Sequence, residues 1–176
     1  MELALNEVKT QAKKLLKALK IDSNLKLSME IPLKKVGLSL PAEIKLKHCL
    51  AIISQQLGFD NWHHAQDILS GSKTNTEALD MGTFFYPRWA DGFINEWFSD
   101  YQQAKSVLLD NQHDKWLLPY KNQFLVVSNS YVLAFKLDKK LVSLWGDVNH
   151  DMVAGYNSLA WDNLTCEIIK NRAKNC

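Results

Sequence analysis

The aromatic residues of this chain are distributed so unevenly that they divide it into two parts. Sixteen of its eighteen Phe, Trp and Tyr residues lie beyond Gly82, and only Phe59 and Trp62 precede that position. Aromatic side chains bury large areas in protein cores, so an aromatic core has to form from the second part. The stretch 70–82 is rich in small polar residues and is typical of a linker. We expect an α+β protein with a helical domain at 1–72, a linker at 73–80 and an aromatic-rich α+β domain at 81–176.

The first part is expected to contain amphipathic helices. Apolar residues in "LALNEVKTQAKKLLKALK" recur at steps of three and four, which predicts a helix with a lysine-rich outer face. The residues that follow contain prolines and a glycine, which favour a connection with brief helical or extended pieces. Pro41 stands where a helix can begin, and a second helix is expected from about Ala42 to Leu57.

The stretch "LGFDNWHHAQDIL" is interpreted as a glycine turn between two packed helices. Gly58 would end the second helix, and Asp60 or Asn61 would cap a short third one. Phe59 and Trp62 would then pack in the helical hairpin. A DNA-binding helix-turn-helix fits less well, because a polar histidine occupies the position where that motif needs a buried aliphatic residue.

The second part mixes helical and strand signals. "KWLLPYKNQFLVVS" predicts a β-hairpin, because two apolar runs flank a short turn and the second run is rich in β-branched residues. "SDYQQAKSVLLDN", "SNSYVLAFKL" and residues 157–172 predict helices. "LVSLWGDVN" predicts a strand or a turn.

Composition argues against several classes of function. The formal net charge of +2 is too small to indicate a nucleic acid or an anionic membrane as the main partner. Only Arg88 and Arg172 are arginines, although guanine and phosphate recognition favour arginine. Three cysteines without CxxC spacing indicate free thiols in a reducing compartment. No secretion signal or membrane span is visible, so we expect a cytoplasmic protein.

Two groups of residues have the chemistry of a general-base site. His63 and Asp67 are four residues apart on one predicted helix and could pair on its exposed face. His150 lies in "GDVNHDM" between Asp147 and Asp151 and could accept a proton from a substrate. For both groups we favour a structural interpretation. The His and Cys spacings match no metal-site template, so we expect no metal and no cofactor.

The stretch "TFFYPRWADGFINEWF" is the least typical feature of the chain. Tyr86, Arg88 and Trp89 combine the residue types that are enriched at the centres of protein interfaces. Seven aromatics in this stretch could equally fill the core of a small domain. The sequence does not decide between the two.

Two stretches resemble segments of known proteins. "LGFDNWHHAQDIL" resembles a Leu-Gly-Phe-x-x-Trp helical segment that recurs in bacterial proteins and beside some glyoxalase-like domains. "GTFFYPRWADGFINEWFSDYQQA" and "LLPYKNQFLVV" resemble the second half of a proteobacterial family that has no assigned activity. The resemblance implies a bacterial cytosolic protein. The metal-ligand pattern of a glyoxalase is missing from the sequence, so glyoxalase chemistry is not expected.

Our leading hypothesis from the sequence is a non-enzymatic interaction or regulatory protein that binds a protein partner through Tyr86, Arg88 and Trp89, or through the exposed lysine face of the first helix. One alternative is a small hydrolase or transferase that uses a His/Asp site. Another is a weak nucleic-acid binder that uses the basic N-terminal half. The sequence predicts no membrane partner and leaves the oligomeric state open.

Overall fold

The computed structural model describes residues 2–41, 43–110, 114–137 and 139–174. The helices are α1 Leu3–Ile21, α2 Ser23–Ser28, α3 Glu30–Lys35, α4 Leu46–Leu57, α5 Trp62–Leu69, α6 Tyr101–Asp110, α7 Asn129–Leu133, α8 Lys139–Asp147 and α9 Leu159–Lys174. The strands are β1 Glu96–Phe98, β2 Lys115–Tyr120 and β3 Gln123–Ser128, and short 3-10 helices occupy Thr76–Ala78 and Arg88–Gly92. The chain has the α+β class that its sequence predicts.

Helix α1 is amphipathic, as its periodicity predicts, and it packs against α4 and α9. Its buried residues are Ala4, Leu5, Val8, Ala12 and Leu19. Its first turn is capped from another helix: the buried Asp162 carboxylate of α9 accepts hydrogen bonds from the backbone N–H groups of Leu3 and Ala4, both at 2.9 Å. The first N–H groups of a helix have no partner inside it, so this contact caps α1 and fixes it to α9.

The predicted glycine turn between α4 and α5 is confirmed. Gly58 has a φ of +100° and ends α4, and the Asn61 side chain accepts a hydrogen bond from the His64 N–H at the start of α5. Phe59 is buried, and Trp62 is partly buried against the same core. The two helices therefore form the packed hairpin that the sequence indicates.

The predicted start of α4 is wrong. The helix begins at Leu46, and residues 43–45 are not helical; Ala42 lies outside the described residues. Ile44 is buried against α1 in this non-helical segment, and Lys45 forms the N-cap, where its N–H donates to the His48 ring nitrogen. Burial of one apolar side chain thus overrides the helix start that Pro41 suggested.

Two glycines allow the chain to cross itself next to the hairpin. The Thr83 N–H donates to the Gly58 carbonyl at 2.8 Å, and Gly82 has a φ of +55°. A Cβ atom on Gly82 would lie 2.1 Å from the Gly58 oxygen, far inside van der Waals contact. Gly82 is thus required both for its backbone conformation and for the close approach of the two segments.

Within the described residues the strands form one antiparallel sheet with the order β1-β3-β2. The predicted hairpin is confirmed as β2 and β3, which pair from Lys115 with Ser128 to Tyr120 with Gln123. Strand β1 has no counterpart in the sequence-based prediction. It is three residues long and is recognisable only by its pairing with β3.

Strands β2 and β3 are buried on both faces of the sheet. Helix α6 covers one face through Tyr101, Ala104 and Leu108, which pack with Phe124 and Val126. The other face adds residues such as Trp116 and Leu125 to the main core. The sheet therefore forms the middle layer between α6 and the other helices.

The prediction for "LVSLWGDVN" is wrong, because this stretch lies in α8 and the turn after it. Trp145 is fully buried, and its ring centroid lies 5.2 Å from that of Trp116 on the sheet. Val148, three residues later, is buried as well. Burial of Trp145 against the sheet thus outweighs the local strand or turn signal of the stretch.

Three buried tyrosine hydroxyls connect distant elements. Tyr101 donates to the Asp151 carboxylate at 2.9 Å, Tyr131 to the Phe85 carbonyl at 2.5 Å and Tyr156 to the Ile68 carbonyl at 2.7 Å. Burial raises the pKa of each hydroxyl, because the tyrosinate anion would lose its hydration. We refer to Tyr101, Tyr131 and Tyr156 as the buried tyrosines.

The main core draws on both sides of the predicted linker. It contains Ala4, Leu5 and Phe59 from the first part together with Trp145 and Trp161 from the second. Within the predicted linker, Leu79 is buried in the same core. The division into two domains stays a prediction.

Candidate functional site

The aromatic stretch supplies both core and surface. Phe84 and Phe85 are fully buried, whereas Trp89 and Trp97 each remain 42% exposed and Ile94 is 99% exposed. Trp89 belongs to a 3-10 helix that follows Pro87, and Trp97 lies in β1. The change from helix to strand within a few residues brings these apolar side chains to the surface.

Tyr86 and Trp97 belong to a group of three rings. The ring centroid of Tyr86 lies 5.2 Å from that of Trp97 and 5.5 Å from that of Tyr120, and Trp97 and Tyr120 are 5.2 Å apart. All three contacts are edge-to-face, the arrangement that aromatic quadrupoles favour. Burial and the nearby Asp91 carboxylate raise the pKa of the Tyr86 hydroxyl.

Trp89 belongs to a second group of rings at the mouth of a groove. Its ring centroid lies 5.0 Å from that of Phe135, 5.5 Å from that of Tyr131 and 5.9 Å from that of Phe93. The groove has a volume of about 810 Å³. Its lining residues are Gln56, Pro87, Trp89, Phe93, Ala134, Phe135, Lys136, Ile168, Asn171 and Arg172. We call it the Trp89 groove.

Arg172 is held firmly at the wall of the Trp89 groove. Its Nη1 donates to the Leu57 carbonyl at 2.9 Å, and its Nη2 donates to the Phe84 carbonyl. The guanidinium carbon lies 4.8 Å from the centre of the Phe84 ring. Both carbonyls flank the crossing of Gly58 and Gly82, so the glycine crossing fixes the position of a positive charge.

A smaller cavity of about 390 Å³ adjoins the Trp89 groove and shares Gln56 and Arg172 with it. Aliphatic side chains dominate its wall, among them Leu15 of α1 and Ile53 of α4. Arg172 therefore stands between an aromatic compartment and an aliphatic one.

His150 and its two neighbouring carboxylates have separate surroundings. The His150 ring stacks on Trp116 at 3.8 Å between centroids, and its Nδ1 lies 3.2 Å from the Lys115 carbonyl oxygen. Asp151 is buried, and besides the Tyr101 hydroxyl it accepts two backbone N–H groups, both at 2.9 Å. Asp147 is exposed. In the described part of the chain, no hydrogen bond or ion pair joins His150 to either carboxylate, and Asp151 has the contacts of a structural residue.

His63 and Asp67 lie on the open face of α5. The His63 side chain is 85% exposed, and its Nε2 is 3.9 Å from the Asp67 carboxylate. His64 is the more constrained neighbour: its Nε2 lies 2.9 Å from the Asp80 carbonyl oxygen, and its ring packs edge-on against Phe59. His64 thus helps to tie α5 to the segment before Gly82. A catalytic role for His63 with Asp67 stays a prediction.

Metal-ligand clusters, membrane-spanning helices and the lysine face of α1 are the other features considered for a site. No cluster of three or more His, Cys, Asp or Glu side chains among the described residues has the arrangement of a metal site. None of the helices in the described ranges combines the length and the apolar character that a bilayer crossing requires. Lys13, Lys17 and Lys20 are exposed on α1, and nucleic-acid binding through this face stays a prediction.

Comparison of the chain with known protein families, with characterised proteins and with solved structures gave no match. The resemblance to a proteobacterial family therefore stays a prediction.

Sequence reasoning missed part of the candidate site. Ile94 and Trp97 lie in the stretch that it singled out, but nothing in the pattern marks them as more exposed than Phe84. Phe135 and Lys136 lie in the turn after α7, and Arg172 lies in α9. Only the packing of these elements brings them to the Trp89 groove.

Proposed function

We propose that this chain is a non-enzymatic interaction protein of the bacterial cytosol. It binds a protein partner through the exposed side chains of Arg88, Trp89, Ile94 and Trp97, which Tyr86 supports from beneath. We call these five residues the 86–97 surface.

The observation that carries the proposal is the exposure of large apolar side chains within one short segment. Ile94 is 99% exposed, and Trp89 and Trp97 are each 42% exposed. Single exposed apolar residues are common, but a local group of them indicates a recognition surface. Tryptophan and arginine are also enriched among the residues that dominate binding energy.

The ring contacts beneath this surface support the same proposal. Tyr86 and Tyr120 pack against Trp97, and Phe135 packs against Trp89. Such packing limits the freedom of both tryptophans before a partner arrives. A side chain that is already ordered loses less conformational entropy on binding.

The test is affinity capture from a bacterial lysate with two single-residue variants. Ile94→Asp places a charge on the 86–97 surface without touching the core. Ile21→Asp is the matched control, because Ile21 is 78% exposed at the end of α1. We expect wild type and Ile21→Asp to retain the same stoichiometric protein after nuclease treatment, and Ile94→Asp to lose it.

The double variant Arg88→Ala/Trp89→Ala should also lose the partner, with a modest decrease in melting temperature because Trp89 contacts three rings. Equal capture by Ile94→Asp and wild type would contradict the proposal. Retention of nucleic acid instead of protein would favour the basic face of α1.

A further inference from the structure

We infer that the Trp89 groove binds a small aromatic carboxylate. This inference is independent of the proposed protein partner, because most of the groove lies outside the 86–97 surface. It depends on the size of the groove, on its aromatic wall and on its charge.

The groove has the size and the wall of a small-molecule site. Its volume of about 810 Å³ falls within the usual range of roughly 300–1,000 Å³ for such sites. Trp89, Phe93 and Phe135 supply three rings, of which Trp89 contacts the other two edge-on. A planar aromatic ligand can pack on such a wall with the offset or edge-on contacts that aromatic pairs favour.

The charge of the groove selects an anion. Lys136 and Arg172 both line it, and the described lining residues include no Asp or Glu. The Asp91 carboxylate helps to raise the pKa of the Tyr86 and Tyr131 hydroxyls, but Asp91 is not among the residues that line the groove. A cationic groove favours a carboxylate over a neutral ligand of the same shape.

The chain segments that carry the two cationic residues are tied to each other. The Asn171 side chain donates to the Lys136 carbonyl at 3.3 Å, which ties the turn after α7 to the residue before Arg172. Lys136 itself has a φ of +53°, a conformation imposed by that tight turn. Arg172 is fixed by the Leu57 and Phe84 carbonyls. Because the Arg172 side chain is already ordered by these contacts, it would lose little conformational entropy when a ligand binds beside it.

The test compares 2-naphthoate with its neutral analogue 2-naphthamide, using isothermal titration calorimetry and backbone-amide NMR spectra of the full chain. The two probes share a ring system and differ in charge. We expect 2-naphthoate to bind at least about tenfold more tightly, the effect of one charge-assisted hydrogen bond over a neutral one. Shifted amide signals should include those of Phe93, Phe135 and Asn171.

A matched pair of variants locates the site. Lys136→Met removes one charge from the groove and keeps an aliphatic side chain. Lys121→Met is the control, because Lys121 is also exposed, also has a positive φ of 48° and lies over Tyr120 outside the groove. Lys136→Met should weaken 2-naphthoate about tenfold and leave 2-naphthamide unchanged. Lys121→Met should change neither.

Three results would overturn the inference: equal affinity for the two probes, no binding of 2-naphthoate at millimolar concentration, or equal weakening by both lysine variants. Ile94→Asp separates this inference from the proposed function. That variant should bind 2-naphthoate as wild type does, whether or not it still captures a protein.

Discussion

Gly82→Ala tests the glycine crossing that positions Arg172. The new Cβ would lie 2.1 Å from the Gly58 carbonyl oxygen and 3.4 Å from the Phe59 Cα. Because the nearest atom belongs to the backbone, no side-chain rotation relieves the clash. The φ of +55° at this position adds a second cost for any residue with a Cβ.

These two costs give the expected magnitude. Forcing an extra carbon into a packed site costs about 1–3 kcal/mol, and a left-handed conformation costs an L-residue roughly 1–2 kcal/mol. Together they predict a loss of about 3 kcal/mol in the free energy of unfolding. For a chain of this size that corresponds to a decrease in melting temperature of about 9 °C.

The assay is urea denaturation followed by circular dichroism and by tryptophan fluorescence. Gly92→Ala is the matched control, because a Cβ there meets no atom within 4 Å and the backbone has no positive φ. It should change stability by no more than about 0.5 kcal/mol. If Gly82→Ala and Gly92→Ala have equal stability, the close approach at the crossing is not rigid and the reasoning fails.

Three further predictions concern buried polar groups. Asp162→Ala should lower the free energy of unfolding by about 3 kcal/mol, because two N–H groups at the start of α1 lose a buried acceptor. Asp100→Ala, at the exposed cap of α6, should cost about 1 kcal/mol. Chemical denaturation measures both variants, and equal costs would contradict the buried cap. The buried tyrosines have a raised pKa in the folded chain. Their ionisation should therefore leave the free energy of unfolding unchanged below a pH of about 10 and lower it above that pH, where the tyrosines of the unfolded chain ionise first. In a Tyr86→Phe/Tyr120→Phe variant, which keeps only the buried tyrosines, tyrosinate absorbance that rises before the loss of helical circular dichroism would refute this. Burial raises the pKa of the Cys49 and Cys166 thiols, so Ellman's reagent at pH 8 should modify these two thiols only when denaturant is added. Counting reactive thiols before and after denaturation should therefore show two more after it.

The sequence predicted those parts of the fold that local patterns determine. The amphipathic period of α1, the glycine turn at Gly58 and the two apolar runs of the β2–β3 hairpin each need only neighbouring residues to be recognised. The segments that were missed depend on distant partners. Strand β1 exists because Trp97 pairs with Leu125, and α8 is helical because Trp145 is buried next to Trp116.

The candidate site was harder to predict than the fold for the same reason. The aromatic stretch was recognised, but its division into buried Phe84 and exposed Ile94 follows from the 3-10 helix and the short strand. His150 and Asp151 are adjacent in sequence, yet one stacks on Trp116 and the other binds Tyr101. Arg172 had no sequence signal as a groove residue, since its contacts are to backbone carbonyls more than eighty positions away.

The packing of α1 on α9 has a consequence for the order of events during protein synthesis. A ribosome releases α1 long before it has made residues 159–174, which contribute Trp161, Leu164, Ile168 and Ile169 to the main core. Until then the apolar side of α1 lacks one of its two main partners, and the amides of Leu3 and Ala4 lack Asp162. A chain arrested before α9 would therefore expose the apolar side of α1 to chaperones and proteases. Completion of the fold coincides with the emergence of α9 from the exit tunnel.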